Sequence, residues 1–181
     1  MAVRAQGQVN FANTPATFND GIDRYVYVGG VGGTRLVGTN YAAALYWGTG
    51  VGPLDQFAVR ALDNTSLGAS VALFRDPGSS LAGTWSGGSR FFVGQDVGAS
   101  LQLQVRVWDI SRFATYQLAI AAGDVTGASE VFGYVVPSPL DAAGLSMNNL
   151  RAFGPLAPEP STVVLGILGL GSLLLFRRKK A

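Results

Sequence analysis

Eleven carboxylates, with no histidine and no cysteine, define the chemistry open to this chain of 181 residues. Without imidazole or thiol, Ser-His-Asp and Cys-His nucleophile systems cannot be built, and the commonest general base and transition-metal ligand are missing together. A zinc site would have to rely on carboxylates alone, and no disulfide framework is available. Carboxylate-pair chemistry survives this test, because it needs only two acids facing each other across ~5 to 9.5 Å of cleft. Asp20, Asp55, Asp63, Asp76, Asp96 and Asp124, however, sit mostly beside glycine, proline or asparagine and read as turn residues. Asp20-Gly21-Ile22-Asp23 could offer oxygens to calcium, but it lacks the spaced acidic run and terminal Glu of an EF-hand loop and reads more simply as a solvated turn. No metal, no cofactor and no catalytic residue is expected.

The aromatic residues offer binding rather than catalysis. Trp47, Trp85 and Trp108, with Tyr25, Tyr27, Tyr41, Tyr46, Tyr116 and Tyr134, have flat apolar faces that can stack on sugar rings. The competing role is to fill a core, and for Trp47 that role is favoured. Trp108 shares its strand parity with Gln102, Gln104 and Arg106, so it is either an exposed platform or is packed beneath the segment that follows.

Charge excludes a nucleic-acid partner. The net charge is +2, yet setting aside the four cations at positions 177–180 leaves nine arginines against eleven acids. No lysine occurs before that cluster, and scattered arginines do not form a phosphate-neutralising groove. Gly29-Gly30-Val31-Gly32-Gly33 is no phosphate cradle either, since Arg35 stands where the third glycine of Gly-x-Gly-x-x-Gly belongs and no helical pattern follows. It reads as a turn.

The elements that must position these residues are mostly strands. The 25 glycines, with many Val, Leu, Phe and Tyr, favour strands joined by tight turns. Period-two alternation marks Gly7 to Phe11 and Tyr41 to Trp47, the latter with Tyr41, Ala43, Leu45 and Trp47 on one face. Leu101 to Trp108 is the clearest case, with Leu101, Leu103, Val105 and Val107 inward, and it reads as the centre of a sheet with one wet face. Shorter strands are expected at Ile22 to Val28, Phe57 to Leu62, Val71 to Phe74, Arg90 to Val93, Val131 to Val136 and Asn149 to Phe153. Asp76-Pro77-Gly78 is a turn, and Arg112 to Ala122 suits one short helix ended by Gly123-Asp124.

The far end of the chain differs in kind. Pro158-Glu159-Pro160-Ser161 leads into a stretch, Val163 to Phe176, with no charge, no amide and one hydroxyl, and Arg177-Arg178-Lys179-Lys180 stops it. The apolar run is shorter than the ~20 residues of an ordinary transmembrane helix, but Ser161 and Thr162 can extend it and long basic side chains can snorkel. A single C-terminal transmembrane helix is expected, basic end inside and body outside.

These three parts in this order resemble the C-terminal sorting signal of bacterial PEP-CTERM proteins. The resemblance implies handling by an exosortase, a membrane-embedded transpeptidase-like enzyme, with inner-membrane anchoring during sorting and delivery to the surface or exopolysaccharide matrix of a Gram-negative bacterium. It assigns Pro158, Glu159 and Pro160 to the processing motif and Arg177, Arg178, Lys179 and Lys180 to stop-transfer. The body is more loosely similar to small exported proteins carrying this signal, through Gly7-x-Val9-x-Phe11 and Leu101-Gln102-x-x-Val105-Arg106-x-Trp108.

The sequence thus reads as an all-β protein: an antiparallel β-sandwich or jelly-roll-like domain with one short helix over residues 6–154. The sorting signal occupies 155–181, with its apolar span at 162–176. Residues 1–5 fit the small-residue pattern before a signal-peptidase cut, as if a signal peptide preceded them. The expected role is non-enzymatic, at the cell surface or in the matrix and associated with exopolysaccharide. The alternatives are a carbohydrate-binding module using Trp108, Trp47 and Trp85, and a glycoside-active enzyme using two carboxylates.

Overall fold

Residues 6–50, 54–62 and 64–156 are described by the computed structural model; the other segments hold the 1–5 remnant, the Pro158 to Pro160 motif, the apolar span and the basic cluster, all outside the described residues. In chain order the elements begin with β1 (Gln6–Ala12), α1 (Pro15–Phe18), β2 (Tyr27–Val28), β3 (Thr34–Arg35) and β4 (Tyr41–Gly48). There follow β5 (Gln56–Phe57), α2 (Leu67–Ser70), β6 (Ala72–Leu73), β7 (Ser86–Asp96) and β8 (Ser100–Asp109). The chain continues through α3 (Tyr116–Ala121), β9 (Thr126–Ala128), β10 (Phe132–Val135) and β11 (Pro155–Leu156). The protein is therefore mostly β with antiparallel sheets and short helices. Among the described residues no helix is long and apolar enough to cross a membrane.

The seven-stranded sheet runs β11-β9-β8-β4-β5, with β10 also paired to β8 and β6 to β4. Its axis is the β4–β8 pair. Register sets Ala43 opposite Val107, Leu45 opposite Val105 and Trp47 opposite Leu103, so these six side chains share one face. That face carries the main core, which β1 and β7 close from the other side through Val9, Phe11 and Phe92. The rings of Trp47 and Phe92 meet edge-on at 5.7 Å across this contact.

The expectation of one wet face on β8 is corrected by the opposite side of the same pair. There Ala42 faces Trp108, Ala44 faces Arg106 and Tyr46 faces Gln104. A second apolar cluster of Ala42, Ala44, Tyr46, Leu54, Trp108, Tyr116 and Ala119 covers them, with α3 as its lid. Both faces of β4 are buried for the same reason: the strand lies between two cores.

α3 is shorter than the helix expected over Arg112 to Ala122. Thr115 supplies the N-cap, accepting from the Leu118 N–H, which fixes the start of the helix after Arg112 and Phe113 rather than at them. Gly123, at φ +67, terminates it and donates its N–H to the Ile120 carbonyl oxygen, as the sequence suggests. The Gly29 to Gly33 loop is the turn between β2 and β3. The strand expected at Phe57 to Leu62 is reduced to Gln56–Phe57 plus single bridges at Val59 and Ala61. Arg90 to Val93 is part of the longer β7. Asn149 to Phe153 is no strand; it makes one bridge, Val26 to Phe153, and the last ladder is β11 on β9.

Candidate functional site

All three tryptophans lie inside the body, with exposures of 2% for Trp47, 0% for Trp85 and 1% for Trp108. Trp85 packs between Phe11 and Phe74, at ring separations of 5.5 and 5.3 Å. Trp108 lies under α3, edge-on to Tyr116 at 6.4 Å. A stacked sugar needs an open ring face and none of these has one, so the alternative of Trp108, Trp47 and Trp85 as sugar platforms gives way to the core role, favoured for Trp47, and to packing beneath the following segment for Trp108. Arg106 completes the seal over the second cluster, its guanidinium 4.1 Å above the Tyr46 ring and its Nη2 donating to the Leu54 carbonyl oxygen at 2.9 Å.

The carboxylates divide into two groups. Asp20 and Asp23 border a hollow of about 310 Å3 with Tyr25, Tyr27 and Arg35. Asp20 is occupied by Arg24, which donates to both of its oxygens at 2.7 Å. That bidentate contact holds the Asp20 carboxyl well below the usual carboxylate range. Asp23 accepts from the Tyr25 N–H and, at 2.6 Å, from the Tyr27 hydroxyl, whose pKa it raises. A guanidinium lying on Asp20 disfavours a cation, and an acid held ionised cannot serve as a proton donor. Asp63 lies outside the described residues; among the others Asp124 pairs with Arg112 at 2.6 Å, and Asp55 and Asp76 are exposed. Among the described residues no three potential metal-ligating groups converge.

A larger cleft of about 470 Å3 lies where no motif points. The β8–β10 pair forms one wall, through Gln102, Phe132 and Tyr134, and Ser146, Asn148 and Asn149 form the other. The second wall is pinned from behind, since Met147 and Leu150 are buried in the main core. Arg24 Nη2 also donates to the Asn148 carbonyl oxygen at 2.8 Å, and the Asn10 N–H to that of Leu145 at 2.7 Å. Sequence reading passes over this site because its walls come from three separate segments, β8, β10 and the stretch around Ser146, and none of the lining residues carries a charge; the one local signal is the polar run Ser146-Met147-Asn148-Asn149 after a double-proline loop.

The described residues end at β11, where Pro155 pairs with Gly127 and Leu156 with Thr126. Just before it, the backbone is gripped from another side: the Tyr27 N–H donates to the Phe153 carbonyl oxygen at 2.9 Å and the Ala152 N–H to that of Asp23 at 2.9 Å. From this point on, residues 156–180 match the family profile of the PEP-CTERM protein-sorting motif. The chain carries a PEP-CTERM sorting signal. No curated protein and no solved structure matches the chain. The PEP-CTERM signal implies an exported protein, sorted through the membrane and processed by an exosortase. The match begins on the last residue of β11, so the sorting segment follows the final ladder of the sheet directly.

Proposed function

We propose that this is a non-enzymatic protein of the cell surface or extracellular matrix of a Gram-negative bacterium, displayed as a β-sandwich-like body and associated with exopolysaccharide. The observation that carries this reading is the PEP-CTERM motif continuing from β11. Five residues lie between Leu156 and Thr162, a reach of at most about 20 Å, so the body is delivered close to the outer face of the membrane. With Arg177 to Lys180 on the inner side, Glu159 is the only charge near the outer boundary, and two prolines keep it out of the helix below.

A non-enzymatic role is supported by what the acids already do. Asp20 is neutralised by Arg24, Asp23 is bound to Tyr27, and neither histidine nor cysteine exists to act beside them. The test is the mass of the C-terminal peptide in the native host with and without its exosortase gene. Exosortase sorting requires a chain shortened upstream of Val163 only when the gene is present. A tail ending at Ala181 in both strains would reduce the segment to a membrane anchor.

A further inference from the structure

We infer that the cleft between β10 and the Ser146 to Asn149 wall is a binding site for a short stretch of neutral, hydroxyl-rich carbohydrate. This rests on the matrix-protein reading and gives it a specific contact surface. The volume of about 470 Å3 lies within the ~300 to 1,000 Å3 usual for ligand pockets.

The wall chemistry selects the ligand. No charged side chain lines the cleft, so nothing in its walls compensates a phosphate or a uronate. Its polar groups are hydroxyls and carboxamides, which both donate and accept as sugar hydroxyls do. Two of them are unused: among the described residues neither the Ser146 hydroxyl nor the Gln102 carboxamide has a hydrogen-bond partner, and Ser146 is only 8% exposed. Both face the open cleft and neither is among the sealed unpartnered atoms, so each can exchange water for a ligand hydroxyl. Phe132 and Tyr134 supply the apolar component, and Tyr134 is held in place by donating its own hydroxyl to the Gln8 carbonyl oxygen at 2.9 Å.

The same wall disfavours an extended peptide. Asn149 Nδ2 donates to the Gly133 carbonyl oxygen at 3.0 Å and so occupies a β10 backbone group that an added strand would need. Asp141, whose charge reaches Tyr134 and which accepts from the Gly144 N–H at 3.0 Å, places a negative field at the rim and further disfavours anions.

The test titrates the full chain, in detergent, with cellotetraose, mannotetraose and xylotetraose, and with trigalacturonate as the anionic control, read by calorimetry and saturation-transfer NMR. At least one neutral tetrasaccharide is expected to bind. Ser146→Ala and Gln102→Ala should each weaken it about tenfold, the scale of a lost hydrogen bond, at unchanged melting temperature. Absence of binding by all three, preference for trigalacturonate, or binding unaltered in both variants would overturn the site. Retention of the same variants in the native matrix is scored separately. If they are retained like the wild type, the matrix reading stands and the cleft is removed from it; loss of retention in the variants alone ties the two together.

Discussion

Trp108 donates its indole N–H to the Phe113 carbonyl oxygen at 2.9 Å, across the turn that leads into α3. The contact fixes an aromatic ring from the sheet to the backbone that delivers its own lid. Trp108→Ala should therefore cost about 3–5 kcal/mol in chemical denaturation, while retention on a polysaccharide matrix per folded molecule stays unchanged. Loss of retention without loss of stability would return the ring to the surface.

Trp85 is as deeply buried, but its Nε1 finds no acceptor among the described residues. Replacing an indole whose N–H is unsatisfied removes a burdened polar atom along with some packing. Trp85→Phe is thus expected to be milder than Trp108→Phe, a comparison that paired urea melts decide. An equal or larger loss at position 85 would show that the Trp85 indole N–H is hydrogen-bonded in solution.

Among the described residues no carboxylate meets the buried Arg90, whose guanidinium is spread over the carbonyl oxygens of Ser70, Gly87 and Ser89. It ties the end of α2 to β7, and Gly87 permits this because a Cβ there would come within 2.8 Å of Arg90 Nη2. A lysine keeps the charge but cannot reach so many acceptors in one plane. Arg90→Lys should lower stability by about 1–3 kcal/mol, and a variant as stable as the parent would refute the staple.

The Asp20 to Arg24 bridge gives the fold an acid-side dependence of definite sign. Because the folded carboxyl lies below its unfolded value, the bridge stabilises the protein fully above the unfolded pKa of about 3.9, and that contribution is lost as pH falls through the depressed value. The melting temperatures of the wild type and Asp20→Asn should therefore differ most at neutral pH and converge below about pH 4. A constant difference across that range would show that the carboxylate's charge is irrelevant.

In the sorting segment, Glu159→Ala should leave membrane insertion intact and abolish processing, while neutralising Arg177, Arg178, Lys179 and Lys180 should let the chain slip through unprocessed. Fractionation and C-terminal peptide mass in the native host separate the two. Normal trimming of the Glu159→Ala chain would remove that carboxylate from recognition.

The parts legible in sequence are those whose cause is local. Alternation along Leu101 to Val107 reveals a strand because side chains switch faces at every residue, and the sorting motif is visible because it is read as a linear string. Parity also sets Trp108 opposite Leu103 and Val105 and leaves two readings, exposed or covered by the segment that follows; the choice depends on how the turn into α3 folds back over the sheet, which alternation does not encode. Two-residue ladders such as β5 and β6 have no period to detect. The cleft escaped for a third reason: Gln102 and Ser146 meet only through tertiary folding.

The exit of the chain has a mechanical consequence. On the proposed sorting through a membrane-held tail, a tug on the body would reach β11 first, whose two residues can peel from β9 one rung at a time, beginning at Leu156. Behind it the backbone between Ala152 and Phe153 is bonded to the segment around Asp23 to Tyr27, on a different part of the body. Tension would thus meet a short zipper and then a clasp, so that the edge yields while the two cores stay shut.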